Sequence, residues 1–312
     1  MGKNMDFHVE KEIREIPDTL RKRRKLSLEE FASVMEEPIF ITGMGSSIIL
    51  PGNNLEKINE LSGMNFKINH STEVSNVNTS TVIALSNSGE TKETVLALKN
   101  AKAKKKFAIT RNKNSSLAKV SKHFIHMICG DEKAVAATKS VVEQTYIVVQ
   151  LFLEKVGKYK PISSSEISQV EKNLKLDFKD GIIKKFVNAD KVIVIGRRGL
   201  SGEIALKFKE IARISSEHEI GTEILHGPAT TIRKNSIILI VNPEMFTGYE
   251  KLLKKKVKCE VFSIKDLGIT GDGIYSEIIR FSGLLKFICE IGKEKKLDLD
   301  NPEGLSKIAT RI

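Results

Sequence analysis

The sequence has no tryptophan, three cysteines and seven prolines, and aromatic residues make up only 6% of its 312 positions. With so few rings, a surface that stacks nucleic-acid bases is not expected. Cys129, Cys259 and Cys289 are scattered, which excludes both a disulfide framework and a metal-binding spacing. No apolar run approaches the roughly 18 residues a membrane-spanning helix needs. The first residues, Met1 to Asp6, lack the apolar core of a secretory signal. These absences lead to the expectation of a cytoplasmic protein with no membrane partner, long enough for about two domains.

What is present begins with charge. Lysine and arginine outnumber the acidic residues 51 to 39, for a net charge of +12. The basic clusters, at 21–25, 104–106 and 254–256, lie far apart. The last two are expected at the ends of helices leading into strands, where positive charge complements the helix dipole. The excess therefore reads as a solvated lysine-rich surface, with no nucleic-acid partner. Its field can still draw a small anion inward.

The most informative segment is Ser86, Asn87, Ser88, Gly89, Glu90 and Thr91. It follows an apolar run at 81–85 that reads as a buried strand, and precedes a helical pattern at 94–98. A turn of this kind places three hydroxyls beside the free N–H groups of a helix start, and Gly89 permits close approach. That is a cradle for a phosphate. It lacks the lysine of a nucleotide-binding P-loop. The same residues also fit an ordinary helix cap with Glu90 in the first turn.

The chain is written twice. Predicted strands at 39–43, 82–85 and 107–110 match strands at 192–196, 237–241 and 261–264, offset by 153–155 residues. This argues for a duplicated α/β unit with parallel sheets, whose ligands bind beyond the C-terminal strand ends. The expected organisation is a helical lead-in at 1–35, domains at 36–160 and 161–296, and a tail at 297–312. Only the first half carries hydroxyl-rich turns. After Val241 the second has Asn242, Pro243 and Glu244 instead.

The second half holds reactive side chains. Lys207 and Glu210 share one face of a predicted helix at 201–214, as an ordinary ion pair also would. His226 precedes Gly227 and Pro228, where rigid backbone can aim it or simply use it structurally. Beside an anion site, a carboxylate base, a histidine and a lysine suit proton shuffling on a phosphorylated sugar.

At this point the chain resembles the tandem sugar isomerase (SIS) domain proteins, the isomerase half of glucosamine-6-phosphate synthase among them. Residues 86–91 match the family's S-[QN]-S-G-E-T phosphate loop, and 45–47 its upstream serine turn. Residues 135–139 are similar to V-A-S-T-K, and 205–211 with 223–228 to A-L-K-x-K-E-I and E-L-x-H-G-P. Residues 298–307 resemble the D-x-D-x-P and L-A-K tail. The resemblance implies two doubly wound, flavodoxin-like parallel-sheet domains and no cofactor or metal. It assigns the sugar 6-phosphate to Ser47, Ser86, Asn87, Ser88 and Thr91, with Val135 and Ala137 in the substrate site. Glu210 would move a proton between C1 and C2, and Lys207 would assist it. His226 would open the ring from the neighbouring subunit of a homodimer, and Lys307 would contact the open-chain sugar or form its imine. Ala137 stands where the family often has serine, and Leu225 where it often has lysine.

The synthase also carries an N-terminal glutaminase. Here Met1 and Gly2 stand about 40 residues before the first predicted strand at 39–43, so the expectation is a chain without a glutaminase of its own. The resemblance then implies conversion of glucosamine 6-phosphate to fructose 6-phosphate and ammonia. The alternatives are an aldose–ketose isomerase, a fructosamine-6-phosphate deglycase, a synthase subunit fed with ammonia or by a separate glutaminase, and a non-catalytic sugar-phosphate sensor.

Overall fold

The computed structural model describes residues 7–54, 59, 62–73 and 77–305. Strand β1 (Ile39–Gly43) is buried at all five positions, as a strand covered on both faces must be. It is joined by β2 (Phe66–His70), β3 (Asn78–Leu85), β4 (Lys102–Thr110) and β5 (His123–His126). The sheet order is β2-β1-β3-β4-β5, with every neighbouring pair parallel. The chain steps from β1 outward to β2 and returns across β1 to β3. The switch point therefore lies between the ends of β1 and β3, where Gly43 pairs with Leu85. Phe40, Val82, Ala84 and Ala108 from the strands pack with Leu98 and Leu117 from the following helices. The Lys139–Lys155 helix is buried at every residue from Lys139 to Leu153.

A second sheet contains β6 (Lys191–Gly196), β7 (Ser216–Ile220), β8 (Ser236–Ile240) and β9 (Glu260–Ser263). Its order, β7-β6-β8-β9, is again parallel throughout and reproduces the β2-β1-β3-β4 part of the first sheet. The strand pairs expected from the 153–155-residue offset thus occupy equivalent positions. An aromatic core holds this unit: Phe186 stacks on Phe208 at 5.9 Å and meets Phe287 edge-on at 4.9 Å. Burying one such ring contributes about 1.5–3 kcal/mol.

The chain divides into two compact units. Residues 18–132 with 139–163 carry the first sheet; the described residues up to Pro17, with 133–138 and 164–305, carry the second. The second unit is thus assembled from distant pieces of sequence. The His8–Arg14 helix has its first N–H groups, those of His8 and Val9, bound by the carboxylate of Asp300 at 2.8 Å each. Glu12 on that helix accepts from the backbone N–H groups of Lys133 and Ala134.

One local expectation is corrected. Lys104–106 lie inside β4, which starts at Lys102, and not at a helix end. The N-terminal half of β4 is only partly covered, so lysines are tolerated there and the apolar run starts at Phe107. The 254–256 lysines do end a helix, Tyr249–Lys256, in its last turn. Among the described residues, no helix is long and apolar enough to cross a membrane.

Candidate active site

The hydroxyl turns both sit at the switch point of the first sheet. After β1, the chain turns at Gly45 (φ 50°) into the Ser46–Asn53 helix, with half-buried Ser47 in its first turn. After β3 comes the 86–91 loop, then the Lys92–Asn100 helix. Because β1 and β3 are paired neighbours, the two helix starts open at the same end of adjacent strands. Each helix start carries the positive end of its dipole, although in the first the Ser47 and Ile48 N–H groups turn back to the Met44 and Gly45 carbonyls.

Within the loop the hydroxyls divide their work. Ser86, 3% exposed, lies 3.0 Å from the Thr91 hydroxyl and accepts from the Gly89 N–H at 3.1 Å. These contacts brace the turn from inside. Ser88 accepts from the Glu90 N–H at 3.1 Å, and its own proton has no acceptor among the described residues. Gly89 adopts φ 72°, and a Cβ there would meet Ser115 Cβ at 2.5 Å and Thr110 Oγ1 at 2.8 Å. Only glycine lets this backbone lie so close to the next loop. Glu90 does not stay in its own helix. It accepts from Ser116 N at 3.1 Å and Ser116 Oγ at 2.7 Å, capping the following short helix. The plain helix-cap alternative is therefore not what forms. The residue before the Lys92–Asn100 helix, Thr91, makes no side-chain cap bond, so those amides are not consumed by it.

The second unit holds a charge cluster on the Arg198–Glu210 helix. Lys207 is fully buried and lies 2.7 Å from Glu210 and 3.1 Å from Glu203. Glu203 is fully buried too, and the Glu210 side chain is 15% exposed. Burial alone would push the Lys207 ammonium toward its neutral form; the Glu210 and Glu203 carboxylates override this and raise its pKa above the ordinary lysine value. A lysine held protonated between two carboxylates is a poor nucleophile. Its geometry suits orienting Glu210 and compensating its charge. Glu203 was missed from sequence, although its spacing of four from Lys207 is the same helical signal that linked Lys207 to Glu210.

His226 ends a 3₁₀ turn, Gly221–His226, and is exposed. Gly227 follows at φ 145°, and Pro228 opens a second such turn. Glu210 precedes β7 and His226 follows it. The Ser201 hydroxyl lies 3.5 Å from His218, while Ser216 at the strand start bonds the Ala205 carbonyl, so the helix runs back along β7. Glu210 and His226 are thus set at opposite ends of a strand roughly 16 Å long, and within one chain they do not meet. Val135 and Ala137 are half-buried in the 133–138 segment of the second unit, where the Val135 N–H bonds the Asp300 carbonyl at 3.0 Å. Lys307 lies outside the described residues.

The chain is thus an α/β protein with two parallel sheets, a hydroxyl-rich, glycine-bent loop at one switch point and a buried carboxylate–lysine cluster. Residues 35–154, which contain the entire first sheet and both hydroxyl turns, match the SIS domain family. The chain is homologous to glutamine–fructose-6-phosphate aminotransferase (isomerizing) of Caldanaerobacter subterraneus subsp. tengcongensis, with 30% identity over 268 residues. That match covers 73% of this chain and 43% of the relative, so the chain spans less than half the length of the curated relatives it matches. The fold is similar to that of the C-terminal domain of glucosamine-fructose-6-phosphate aminotransferase from Francisella tularensis. The TM-score is 0.78 at 22% identity, over 97% of this chain and 100% of the other. It is also similar to glucosamine-6-phosphate deaminase from Thermotoga maritima. Here the TM-score is 0.74 at 20% identity, over 95% and 98% of the two chains.

Proposed function

We propose that the chain is a sugar-phosphate enzyme that transfers a proton between C1 and C2 of an open-chain sugar 6-phosphate. The observation that carries this reading is the 86–91 loop: a glycine-bent turn at a switch point, braced by Ser86 and Thr91, with the Ser88 proton and nearby helix-start amides available to an anion. Ser47, Ser86, Asn87, Ser88 and Thr91 form the phosphate site. Val135 and Ala137 contact the sugar. Glu210 is the base, oriented by Lys207, and Lys307 contacts the open-chain carbonyl. The β7-β6-β8-β9 sheet, which repeats the first sheet's order, supports reading the second unit as a second SIS domain.

The aminotransferase relatives are named for fructose 6-phosphate and for transfer of an amino group, which points to the amino-sugar pair. The substrate proposed is glucosamine 6-phosphate. Its ring opens to the C1 aldehyde, Glu210 takes the C2 proton and returns it to C1, and the resulting C2 imine adds water. Fructose 6-phosphate and ammonia leave. Ammonia release from glucosamine 6-phosphate is the deciding assay. Aldose–ketose interconversion of a 6-phosphorylated sugar without ammonia would replace this reading with a pure isomerase. Glu210→Gln should lower kcat by on the order of 10²-fold or more if it is the base. A sensor would keep its sugar-phosphate binding and have no rate to lose.

His226 is proposed to act in the site of a second copy. The support is its exposure and its separation from Glu210 along β7. Mixing inactive Glu210→Gln and His226→Ala chains should then recover activity, because a mixed dimer contains one site with both groups. Two inactive variants that stay inactive on mixing, with subunit exchange demonstrated, would rule it out.

A further inference from the structure

Asn87 sits in the phosphate loop, yet its side chain is already engaged. Its Nδ2 donates to Glu132 Oε2 at 3.2 Å. The same carboxylate accepts from Ser140 N at 3.1 Å and from Ser140 Oγ at 2.6 Å. Glu132 is 8% exposed. A buried carboxylate beside an anion loop should oppose anion binding unless its charge is used elsewhere. Here it is used. Ser140 is the second residue of the Lys139–Lys155 helix, so the carboxylate lies at the positive end of a 17-residue helix and takes one of its free amides.

Glu132 also decides how Asn87 points. A carboxylate only accepts, so the Asn87 amide must present nitrogen to it and oxygen elsewhere. The Asn87 main-chain oxygen accepts from Thr110 Oγ1 at 3.1 Å and Arg111 N at 3.2 Å. Asn87 is therefore fixed by its backbone to the loop after β4 and by its side chain to the start of a buried helix. The neighbouring Asp131 makes a different contact, an ion pair with Arg111 at 2.5 Å whose side chains are 75% and 36% exposed. Exposed pairs of this sort contribute about 0–1 kcal/mol.

We infer that Glu132 is a positioning residue of the anion site: it clamps the 86–91 loop to the Lys139–Lys155 helix through Asn87, and Asn87 serves the phosphate by holding the loop in shape. The inference rests on the phosphate-loop reading proposed above and deepens it. Nothing in the spacing of the sequence marks Glu132, because Asn87 lies 45 positions before it and Ser140 8 after it.

The test measures binding of inorganic phosphate by calorimetry and amide exchange of residues 86–91 by mass spectrometry. It uses Glu132→Gln, Asn87→Ala, the double variant and Asp131→Asn in the full chain. Glu132→Gln should weaken phosphate binding roughly tenfold, the scale of one charge-assisted hydrogen bond, and speed exchange in the loop. Adding Glu132→Gln to Asn87→Ala should cost nothing further, and Asp131→Asn should stay within about twofold. Additive effects in the double variant would overturn the clamp, because a general loss of structure adds and a lost pairwise contact does not. Unchanged loop exchange in Glu132→Gln would overturn it as well, whatever the loop binds. A wild-type chain that binds no phosphate while the loop still loosens in Glu132→Gln would keep the clamp and remove the phosphate reading.

Discussion

The two sheets share one topology and treat their switch points in opposite ways. Between β1 and β3 the chain leaves hydroxyls and helix-start amides. Between β6 and β8 the same space is filled. Asn242, fully buried, accepts from the Arg197 N–H at 2.9 Å and donates to Glu277 at 2.9 Å. Gly196 must be glycine there, since a Cβ would approach Val241 Cγ2 at 2.5 Å and Asn242 Oδ1 at 2.6 Å. Close by, Glu244 pairs with Arg280 at 2.7 Å. A backbone donor that could have met an anion is consumed by a side-chain amide, whose own nitrogen is held by a carboxylate. The second unit's chemical groups lie elsewhere, on the Arg198–Glu210 helix at the other end of its strands. Fold places a crevice; the residues at the strand ends decide whether it binds anything.

The largest expected effect tests the second half of that contrast. Lys207→Met leaves Glu203 and Glu210 without their buried cation. Breaking a buried pair in this way costs about 3–5 kcal/mol, so the urea midpoint should fall sharply, with the slope unchanged if unfolding stays two-state. Glu210 would also lose its orientation, and turnover should fall further than stability explains at temperatures where the variant is still folded. A Lys207→Met chain as stable as wild type would show that the cluster does not carry the charge balance described.

A smaller effect tests the plug. Asn242→Ala removes partners from the Arg197 N–H and from the buried Glu277. Leaving buried polar groups unmade costs about 1–3 kcal/mol. Thermal unfolding should move down accordingly, while phosphate affinity stays that of the wild type. A change in phosphate affinity would mean that the two switch points are not independent and would weaken the contrast between them.

Much of this contrast was legible before the structure. Short buried strands ending in Gly43, Leu85, Gly196 and Ile240 stand out because central parallel strands are apolar on both faces. The exchange of a serine-rich turn for Asn242, Pro243 and Glu244 was visible as well. The partners were not legible. Asp300 caps a helix 292 positions away, and Glu132 reaches Asn87 across 45; such contacts leave no local pattern. The separation of Glu210 from His226 also had to come from topology, because 16 residues of sequence do not reveal that a whole strand runs between them. The lysines of β4 were misplaced for a related reason. A half-covered strand end tolerates charge, and a charged triplet carries no two-residue period.

The smallest effect on stability makes the sharpest test of the first switch point. Ser88 is half-buried, and among the described residues its hydroxyl makes one hydrogen bond, accepting from the Glu90 N–H. That amide belongs to an exposed residue and can turn to water instead. Ser88→Ala should therefore change stability by no more than about 0.5 kcal/mol. The proton it removes is the one with no acceptor among the described residues, so the loss should fall on the anion. KM for the phosphorylated sugar should rise more than kcat falls, as expected for a contact made equally in ground and transition states. Ser86→Ala should behave differently. Its hydroxyl accepts the Gly89 N–H and meets Thr91 inside the loop, so stability and KM should change together. If Ser88→Ala leaves KM where it was, the anion lies elsewhere and the two switch points differ in packing alone.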